Sequence, residues 1–283
     1  MFLSPMLPVT RDKPFDDRDF IFEPLIGGRR LILSVRQGRA QLYTSQGIDV
    51  SAQYPELLDV PAADDSDMIV DGVVSCVNPQ THTLDYASIQ ERSRLRKPMM
   101  IMQARVRHPS VFCAFDILSY RGEDVRSRTL MERKQILSRA LGDNAYYYRV
   151  FHEEGTGISL YRAVESKLGG IVAKRKDSPY VGRRDAAWMS ILHYQYADVE
   201  IAGYRKHPFG WLLQHQSRRV GMLEDSVPLA YRKAFFGVSR SIMTGEDSQF
   251  VYVRPCIKAR IRYRMKQHRV DRIVSPEFVD FVV

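Results

Sequence analysis

The chain has 283 residues, of which 45% are hydrophobic and 27% charged, and its formal net charge is +9. This composition excludes general disorder, a collagen-like repeat and a low-complexity chain, and the length suits one large domain or two unequal ones. No uncharged apolar run approaches the roughly 20 residues that a spanning helix needs, which argues against a membrane protein.

Hydrophobic periodicity divides the chain near residue 193. Before that point the pattern mixes strands and helices. Strands are predicted at Ile21–Phe22, Leu31–Val35, Gln41–Thr44, Met68–Val77 and Gly170–Ala173.

Two helices are predicted among these strands. Leu130–Leu141 has apolar residues at helical spacing, with Thr129 as the N-cap and with Arg133 and Lys134 on the exposed side. Tyr161–Leu168 is the second helix, and the glycine pair after it ends it.

After residue 193 the chain changes to short alternating segments separated by turns. This pattern predicts a small, mostly β barrel with one helix. The strands are predicted at Ala197–Tyr204, Trp211–Gln214, Phe250–Val253 and Lys258–Lys266, and the helix at Leu229–Met243.

Three cysteines, Cys76, Cys113 and Cys256, are an odd number without metal-ligand spacing. We expect them to be small buried hydrophobic residues of a cytoplasmic protein, since the cytoplasm keeps thiols reduced. His152–Glu153–Glu154 and the acidic run over residues 64–67 lack a partner ligand at a defined spacing, so we expect solvated loops and no metal site.

Basic residues exceed acidic ones, and they are mostly arginine: 32 Arg against 10 Lys. The planar guanidinium pairs well with phosphate oxygens, and a basic chain often has a nucleic-acid partner. A GC-rich genome produces the same arginine bias, so the count alone leaves both explanations open.

One predicted strand carries a row of cations. Lys258, Arg260, Arg262, Arg264 and Lys266 alternate with apolar residues, so all five share one face of a strand. A solvated edge strand protected from aggregation is one interpretation. Contact with nucleic acid is the other, because like charges on one face repel unless an anion neutralises them.

A series of short segments runs through nearly the whole chain in a fixed order. They are Phe22–Glu23–Pro24 with Gly28 and Arg30, Tyr54–Pro55–Glu56–Leu57, Asp71–Gly72, Phe115–Asp116–Ile117–Leu118, Gly170–Ile171–Val172–Ala173–Lys174, Gly182–Arg183–Arg184 with Trp188, and Gly210–Trp211–Leu212–Leu213. In this order they resemble the motifs of ATP-dependent DNA ligases, particularly small bacterial and phage ligases and the ligase domain of bacterial end-joining enzymes.

The resemblance implies an α+β fold in two domains. A nucleotidyltransferase (adenylation) domain with antiparallel sheets and helices would span residues 1–193, and an OB-fold β-barrel would span residues 194–283. It also implies ATP and Mg as cofactors, and nicked duplex DNA as the partner.

The resemblance also places the family's nucleophile at a position that has lost it. In the family, a lysine amine attacks the α-phosphorus of ATP, and here that position is Leu25. Gly27 stands where the same motif has an aspartate, and no lysine occurs between Lys13 and Lys97. Arginine is no substitute, because its guanidinium stays protonated in proteins.

Other charged positions implied by the resemblance are replaced together. Val73 and Gly169 stand where acids would bind the metal and ribose, and Ser45 stands for an arginine. Ser190 and Leu192 stand for two lysines that would neutralise the α-phosphate.

Four pocket residues are retained. By resemblance, Glu23 would accept a hydrogen bond from the adenine amino group, Arg30 and Lys174 would meet phosphate, and Phe115 would stack on the base. The alternatives also stay open: Arg30 and Lys174 could pair with acids or solvent, and Phe115 could be a core aromatic.

We therefore expect a monomeric, catalytically inactive ligase-like protein that binds nicked or duplex DNA independently of sequence. Its contacts would come from Arg183, Arg184 and the basic strand. No cofactor is expected, although weak ATP binding stays open. An active ATP-dependent DNA ligase is the enzyme alternative, and a protein scaffold is the third hypothesis.

Overall fold

The structure is a computed structural model that describes residues 2–78, 80–81, 83–165, 167–264, 273 and 276–282. It divides into two compact units, Met1–Leu192 and His193–Val283. Both contain antiparallel sheets with helices, so the predicted α+β class is confirmed.

Eleven strands of the described residues build two sheets in the first unit. They are β1 (Leu7–Thr10), β2 (Phe20–Pro24), β3 (Arg29–Arg36), β4 (Arg39–Thr44), β5 (Met68–Cys76), β6 (Ser110–Tyr120), β7 (Glu123–Asp124), β8 (Tyr147–Arg149), β9 (Glu153–Glu154), β10 (Gly170–Arg175) and β11 (Arg184–Leu192). The first sheet has the order β1-β11-β10-β2-β9, and the second has the order β4-β3-β5-β6-β7 with β8 beside β6. The five strands predicted in this half are confirmed.

The helices of the first unit are α1 (Tyr86–Arg92), α2 (Pro98–Arg107), α3 (Leu130–Ala140) and α4 (Gly157–Ala163). α3 begins as predicted, because Thr129 and Glu132 form a reciprocal capping box. The second predicted helix is misplaced: α4 ends at Ala163, and Leu168 lies in the turn that leads into β10.

The expected exposure of two α3 cations is wrong. Arg133 and Lys134 are both buried. Arg133 makes a two-bond ion pair with Asp116 of β6, at 2.8 and 3.0 Å, and Lys134 pairs with Glu23 of β2. A charged side chain can enter the interior when a carboxylate compensates it, and that partner lies far away in the sequence.

The two sheets of the first unit pack face to face through an apolar layer. Ile32 and Leu118 of the second sheet meet Trp188 of the first, with Met6 and Tyr180 in the same cluster. The opposite face of the second sheet carries a larger core that includes Leu31, Phe112 and Leu137.

The second unit is built around one long strand. Its elements are β12 (Tyr194–Arg205), β13 (Gly210–His215), β14 (Arg218–Leu223), α5 (Leu229–Ser239), β15 (Met243–Glu246), β16 (Phe250–Val253), β17 (Lys258–Arg264) and β18 (Glu277–Val282). β12 pairs with β13, β16 and β17, and β17 also pairs with β18. The core packs around Trp211 and Phe235.

The predicted strands of this unit are confirmed, with two differences at element ends. The helix stops at Ser239, a 3-10 turn follows, and Met243 already begins β15. β17 is described only to Arg264, so Lys266 lies outside the described residues.

The cysteines follow the expectation only in part. Cys76 and Cys113 are buried free thiols, and burial raises their pKa values to about 11 and about 12. Cys256 is exposed, because it lies in the turn between β16 and β17. Within the residues described, no helix combines the length and the apolar character needed to cross a membrane.

Gly72→Ala should destabilise the first unit. A Cβ at residue 72 would lie 2.5 Å from the Phe112 ring and 2.8 Å from the Cys113 carbonyl oxygen in the middle of the second sheet. Overpacking of this kind costs about 1–3 kcal/mol. The control is Gly169→Ala, whose Cβ would meet only Leu25 Cδ2 at 4.0 Å. Urea unfolding followed by circular dichroism should show a lower midpoint for Gly72→Ala alone; equal midpoints would contradict the steric argument.

Candidate functional site: a cavity between two sheets

A cavity of about 130 Å³ lies between the two sheets of the first unit. Its walls are mainly apolar, with three charged side chains among them. They are formed by Pro8, Glu23, Pro24, Leu25, Ile26, Arg30, Val73, Phe115, Val150, Val172, Lys174 and Trp188.

Strand register explains why these residues meet. In the first sheet Glu23 lies opposite Val172, and Lys174 lies opposite Trp188. Side chains two residues apart on a strand share a face, so Val172 and Lys174 line the cavity together. In the second sheet Arg30 lies opposite Val73 in the same way.

Phe115 enters the cavity wall through a β-bulge. Asp116 pairs with Asp71 and Ala114 pairs with Gly72, so Phe115 is the extra residue between them. A bulge changes the direction of a side chain relative to the regular strand.

Several of the positions without the expected charges lie at this cavity. Leu25 and Val73 line it. Gly169 is next to Leu25, since a Cβ on Gly169 would be 4.0 Å from Leu25 Cδ2. Leu192 is buried opposite Gly170, and the Ser190 hydroxyl donates to the Val9 carbonyl at 3.3 Å.

Of these positions only Leu25 and Val73 line the cavity, and Gly27 and Ser45 lie in connections outside the strands. Gly27 lies in the connection between β2 and β3, and Ser45 is exposed in the turn after β4. Neither is among the residues that line the cavity.

Glu23 is held by two lysines. Lys134 donates to its Oε1, and Lys174 Nζ lies 2.7 Å from its Oε2. Burial by itself raises the pKa of Glu23, but the two ammonium groups outweigh burial and lower it. Both carboxylate oxygens are therefore occupied by cations of the chain itself. The pairing of Lys134 with Glu23 was not predicted, because local helical periodicity carries no signal of a partner 111 positions away.

Lys174 is almost fully buried among aromatic rings. Its Nζ lies 4.1 Å from the ring centroid of Phe115 and 4.1 Å from that of Trp188. Burial and, to a smaller extent, nearby Lys134 lower the pKa of Lys174 to about 8, although Glu23 acts to raise it. The amine is thus less basic than a solvated lysine.

Arg30 is also bound within the protein. Its Nε and Nη2 donate to the two oxygens of Asp71, at 3.0 and 2.5 Å. The Tyr180 hydroxyl donates to the same carboxylate at 2.6 Å, and the Met6 amide donates to that hydroxyl at 2.9 Å. Burial lowers the pKa of Arg30, but Asp71 outweighs burial and raises it.

The basic strand β17 shows the predicted alternation but is not an edge strand, because β12 and β18 flank it. Arg260 makes a two-bond ion pair with Asp198 of β12, at 2.7 and 2.9 Å. Arg262 pairs with Glu277 of β18 at 2.8 Å. Carboxylates of neighbouring strands therefore neutralise part of the cationic row.

The remaining predicted contact residues are more open. Lys258 and Arg264 are exposed and form no ion pair with the described part of the chain. In the first unit Arg183 and Arg184 are exposed, and Arg184 donates to the Pro8 carbonyl.

The described residues form no cluster of metal-ligating side chains. Across the described ranges, no group of three or more His, Cys, Asp or Glu side chains could hold a metal ion. The acidic side chains nearest the cavity, Glu23 and Asp71, are instead paired with cations.

Glu23→Gln should destabilise the first unit, because it leaves two buried ammonium groups without their carboxylate. Removing one partner of a buried pair costs about 3–5 kcal/mol. The folded chain lowers the pKa of Glu23 from 4.5, so the ionised carboxylate stabilises the fold above that pH and loses this effect in acid. The difference in stability between Glu23→Gln and wild type should therefore become smaller at low pH. The matched control is Glu154→Gln, which removes the exposed carboxylate paired with Lys176. Thermal unfolding at several pH values measures both, and equal effects of the two variants would contradict the assignment.

Comparison with known proteins agrees with this architecture. The profile of the family described as ATP dependent DNA ligase domain matches residues 5–191. The SPbeta prophage-derived DNA ligase-like protein LigB of Bacillus subtilis (strain 168) is 30% identical over 280 residues, which cover 98% of each chain.

Two solved structures show the same fold at low sequence identity. Mycobacterial DNA ligase D complexed with ATP and MES has a TM-score of 0.59 and 20% identity, covering 99% of this chain and 95% of that one. A Lig E DNA ligase has a TM-score of 0.67 and 11% identity over 100% of both chains. The expected nucleotidyltransferase and OB-fold architecture is confirmed. With a family match over residues 5–191 and a full-length relative, the chain belongs to the ATP-dependent DNA ligase family.

Proposed function

We propose that this member of the family is a catalytically inactive, ligase-like protein that binds DNA through the phosphate backbone. The proposed lack of activity rests on the residues that line the cavity. Leu25 and Val73 give it apolar walls at the positions where the family resemblance implies an amine and a carboxylate. Phosphoryl transfer depends on positioned charge, and apolar groups supply none.

The size of the cavity also supports inactivity. Its volume of about 130 Å³ is well below the roughly 300–1,000 Å³ of typical small-molecule sites. The base-recognising carboxylate of Glu23 is already bound by Lys134 and Lys174. A nucleotide would have to displace these internal contacts before it could bind.

One observation favours the alternative of an active ligase. Lys174 presents a primary amine at the cavity wall, and its pKa of about 8 leaves a fraction of it neutral at physiological pH. A lysine with a lowered pKa can act as a nucleophile. Against this, Lys174 is buried and paired with Glu23, and the cavity of about 130 Å³ beside it is too small for a nucleotide.

Incubation with labelled ATP and magnesium, followed by a denaturing gel, tests the proposal. We expect no labelled protein, because the amine at the cavity wall, Lys174, is held by Glu23 in a cavity too small for a nucleotide. A known active ATP-dependent DNA ligase is the positive control. A labelled band in wild type that disappears in Lys174→Met would establish Lys174 as the nucleophile and contradict the proposal. A Lys176→Met variant controls for nonspecific labelling of a neighbouring, half-buried lysine.

DNA binding is supported by the family and by the net charge of +9. The contacts proposed are Arg183 and Arg184 in the first unit and the cations of β17 in the second. Of the latter, Lys258 and Arg264 form no ion pair among the described residues, although Lys258 acts on Asp198 at longer range, whereas Arg260 holds Asp198 directly. The two unpaired cations should therefore contribute more to phosphate binding than Arg260 does.

Fluorescence anisotropy with nicked duplex DNA should show binding that weakens steeply with salt. For about four to six phosphate contacts, affinity should fall about 10²–10³-fold between about 50 and about 200 mM salt. Lys258→Ala/Arg264→Ala should reduce the slope of log K against log salt by about 1.8, since each lost contact contributes about 0.9. Arg260→Ala is the matched control and should change it little. Absence of binding at low salt, or equal effects of the paired and unpaired cations, would contradict these assignments.

A further inference from the structure

Two side chains in the walls of the cavity carry N–H groups that are not fully satisfied. The Trp188 indole Nε1 is buried and has no hydrogen-bond partner within the described part of the chain. Lys174 Nζ is ion-paired with Glu23 Oε2 at 2.7 Å, but an ammonium has three N–H groups, and this one partner leaves the group under-satisfied. Buried donors without acceptors are costly, so a ligand that offers acceptor oxygens would be favoured there.

The charges around the cavity do not balance. Arg30 is neutralised by Asp71, and more deeply Arg133 is neutralised by Asp116. Glu23, however, faces two ammonium groups, those of Lys134 and Lys174, so one positive charge remains among the described groups. His152, half-buried beside this cluster, does not add to it at neutral pH, because burial and Lys134 lower its pKa.

The shape of the cavity limits what can compensate this charge. The wall residues other than Glu23, Arg30 and Lys174 are apolar or aromatic, among them Leu25, Val73 and Val172. The volume of about 130 Å³ is close to the roughly 150 Å³ that holds a benzene molecule in an apolar protein cavity. A compact apolar body therefore fits, whereas a polyanion would leave most of its charge unpaired.

From these donors, this charge and this volume, we infer that the cavity binds a small monocarboxylate of about five carbon atoms with a compact apolar body. Its carboxylate accepts hydrogen bonds from Lys174 and Trp188, and its hydrocarbon part packs against Leu25, Val73 and Val172. The single negative charge of the ligand offsets the one ammonium charge that Glu23 leaves uncompensated. This site is independent of adenylate chemistry, so the labelled-ATP experiment neither supports nor contradicts it.

Ligand binding at this cavity should depend on pH, because it is linked to the protonation of Lys174. Lys174 is faced by Glu23 of β2, Lys134 of α3, Asp116 of β6 and, across the Phe115 ring, Arg30 of β3. Burial lowers the pKa of Lys174 to about 8, and a bound anion would raise it again. Binding should therefore take up protons near pH 8, and affinity should fall about tenfold per pH unit above the free-state pKa.

The probe is 3-methylbutanoate, measured by titration calorimetry and by the fluorescence of Trp188. 3-Methylbutanamide is the neutral isostere, and 2-naphthoate is the oversized anion. We expect 3-methylbutanoate to bind at least tenfold more tightly than both, with constant affinity below pH 7 and a decline above pH 8. Lys174→Met should abolish the preference for the anion, and the control Lys176→Met should retain it.

A variant that changes only the volume of the cavity tests the inference separately from the charge. Val73→Leu keeps every charge and reduces the cavity, so it should weaken binding of the acid and the amide alike. If Lys174→Met fails to fold, the pH profile of the wild type and Val73→Leu carry the test. Equal affinity for acid and amide, an affinity independent of pH through 8, or no binding because the donors hold water would each overturn the inference.

Discussion

The first unit depends on the pairing of charged side chains that are buried in its interior. Glu23 at the end of β2 is bound by Lys174 from β10 and by Lys134 from α3, so one carboxylate ties together two neighbouring strands and the helix. Arg30 and Asp71 provide a second such contact within the opposite sheet. An isolated charge in this interior would cost far more than a mispacked apolar group, so these partners must be present together.

The same contacts connect the scaffold with the proposed loss of chemistry. Where the family resemblance implies groups that meet a nucleotide, the chain has apolar side chains at Leu25 and Val73. The retained polar residues form ion pairs within the chain: Glu23 binds Lys174, and Asp71 binds Arg30. Under the proposed function, this internal pairing keeps the fold stable and closes the pocket to a triphosphate, and it leaves a small cavity with N–H donors in its walls.

The second unit shows the same compensation at its surface. β17 carries a cation at every second residue, but β12 and β18 supply Asp198 and Glu277 to two of them. An exposed pair contributes little stability, yet it lowers the charge available to phosphate. In the proposed function, contact of this strand with DNA therefore rests mainly on Lys258 and Arg264.

Local patterns in the sequence determined the α+β class, most strand positions and the start of α3, because alternation and capping act over a few residues. The order of motifs also identified the family, which the family match confirms, while the assignment of Leu25 to the position of its nucleophile stays a prediction. Burial of Arg133 and Lys134, and the division of the β17 cations into paired and unpaired, were decided only by tertiary structure. Their partners lie 17, 111 and 62 positions away for Arg133, Lys134 and Arg260, and no local pattern encodes such a contact, because it exists only when the sheets and helices pack.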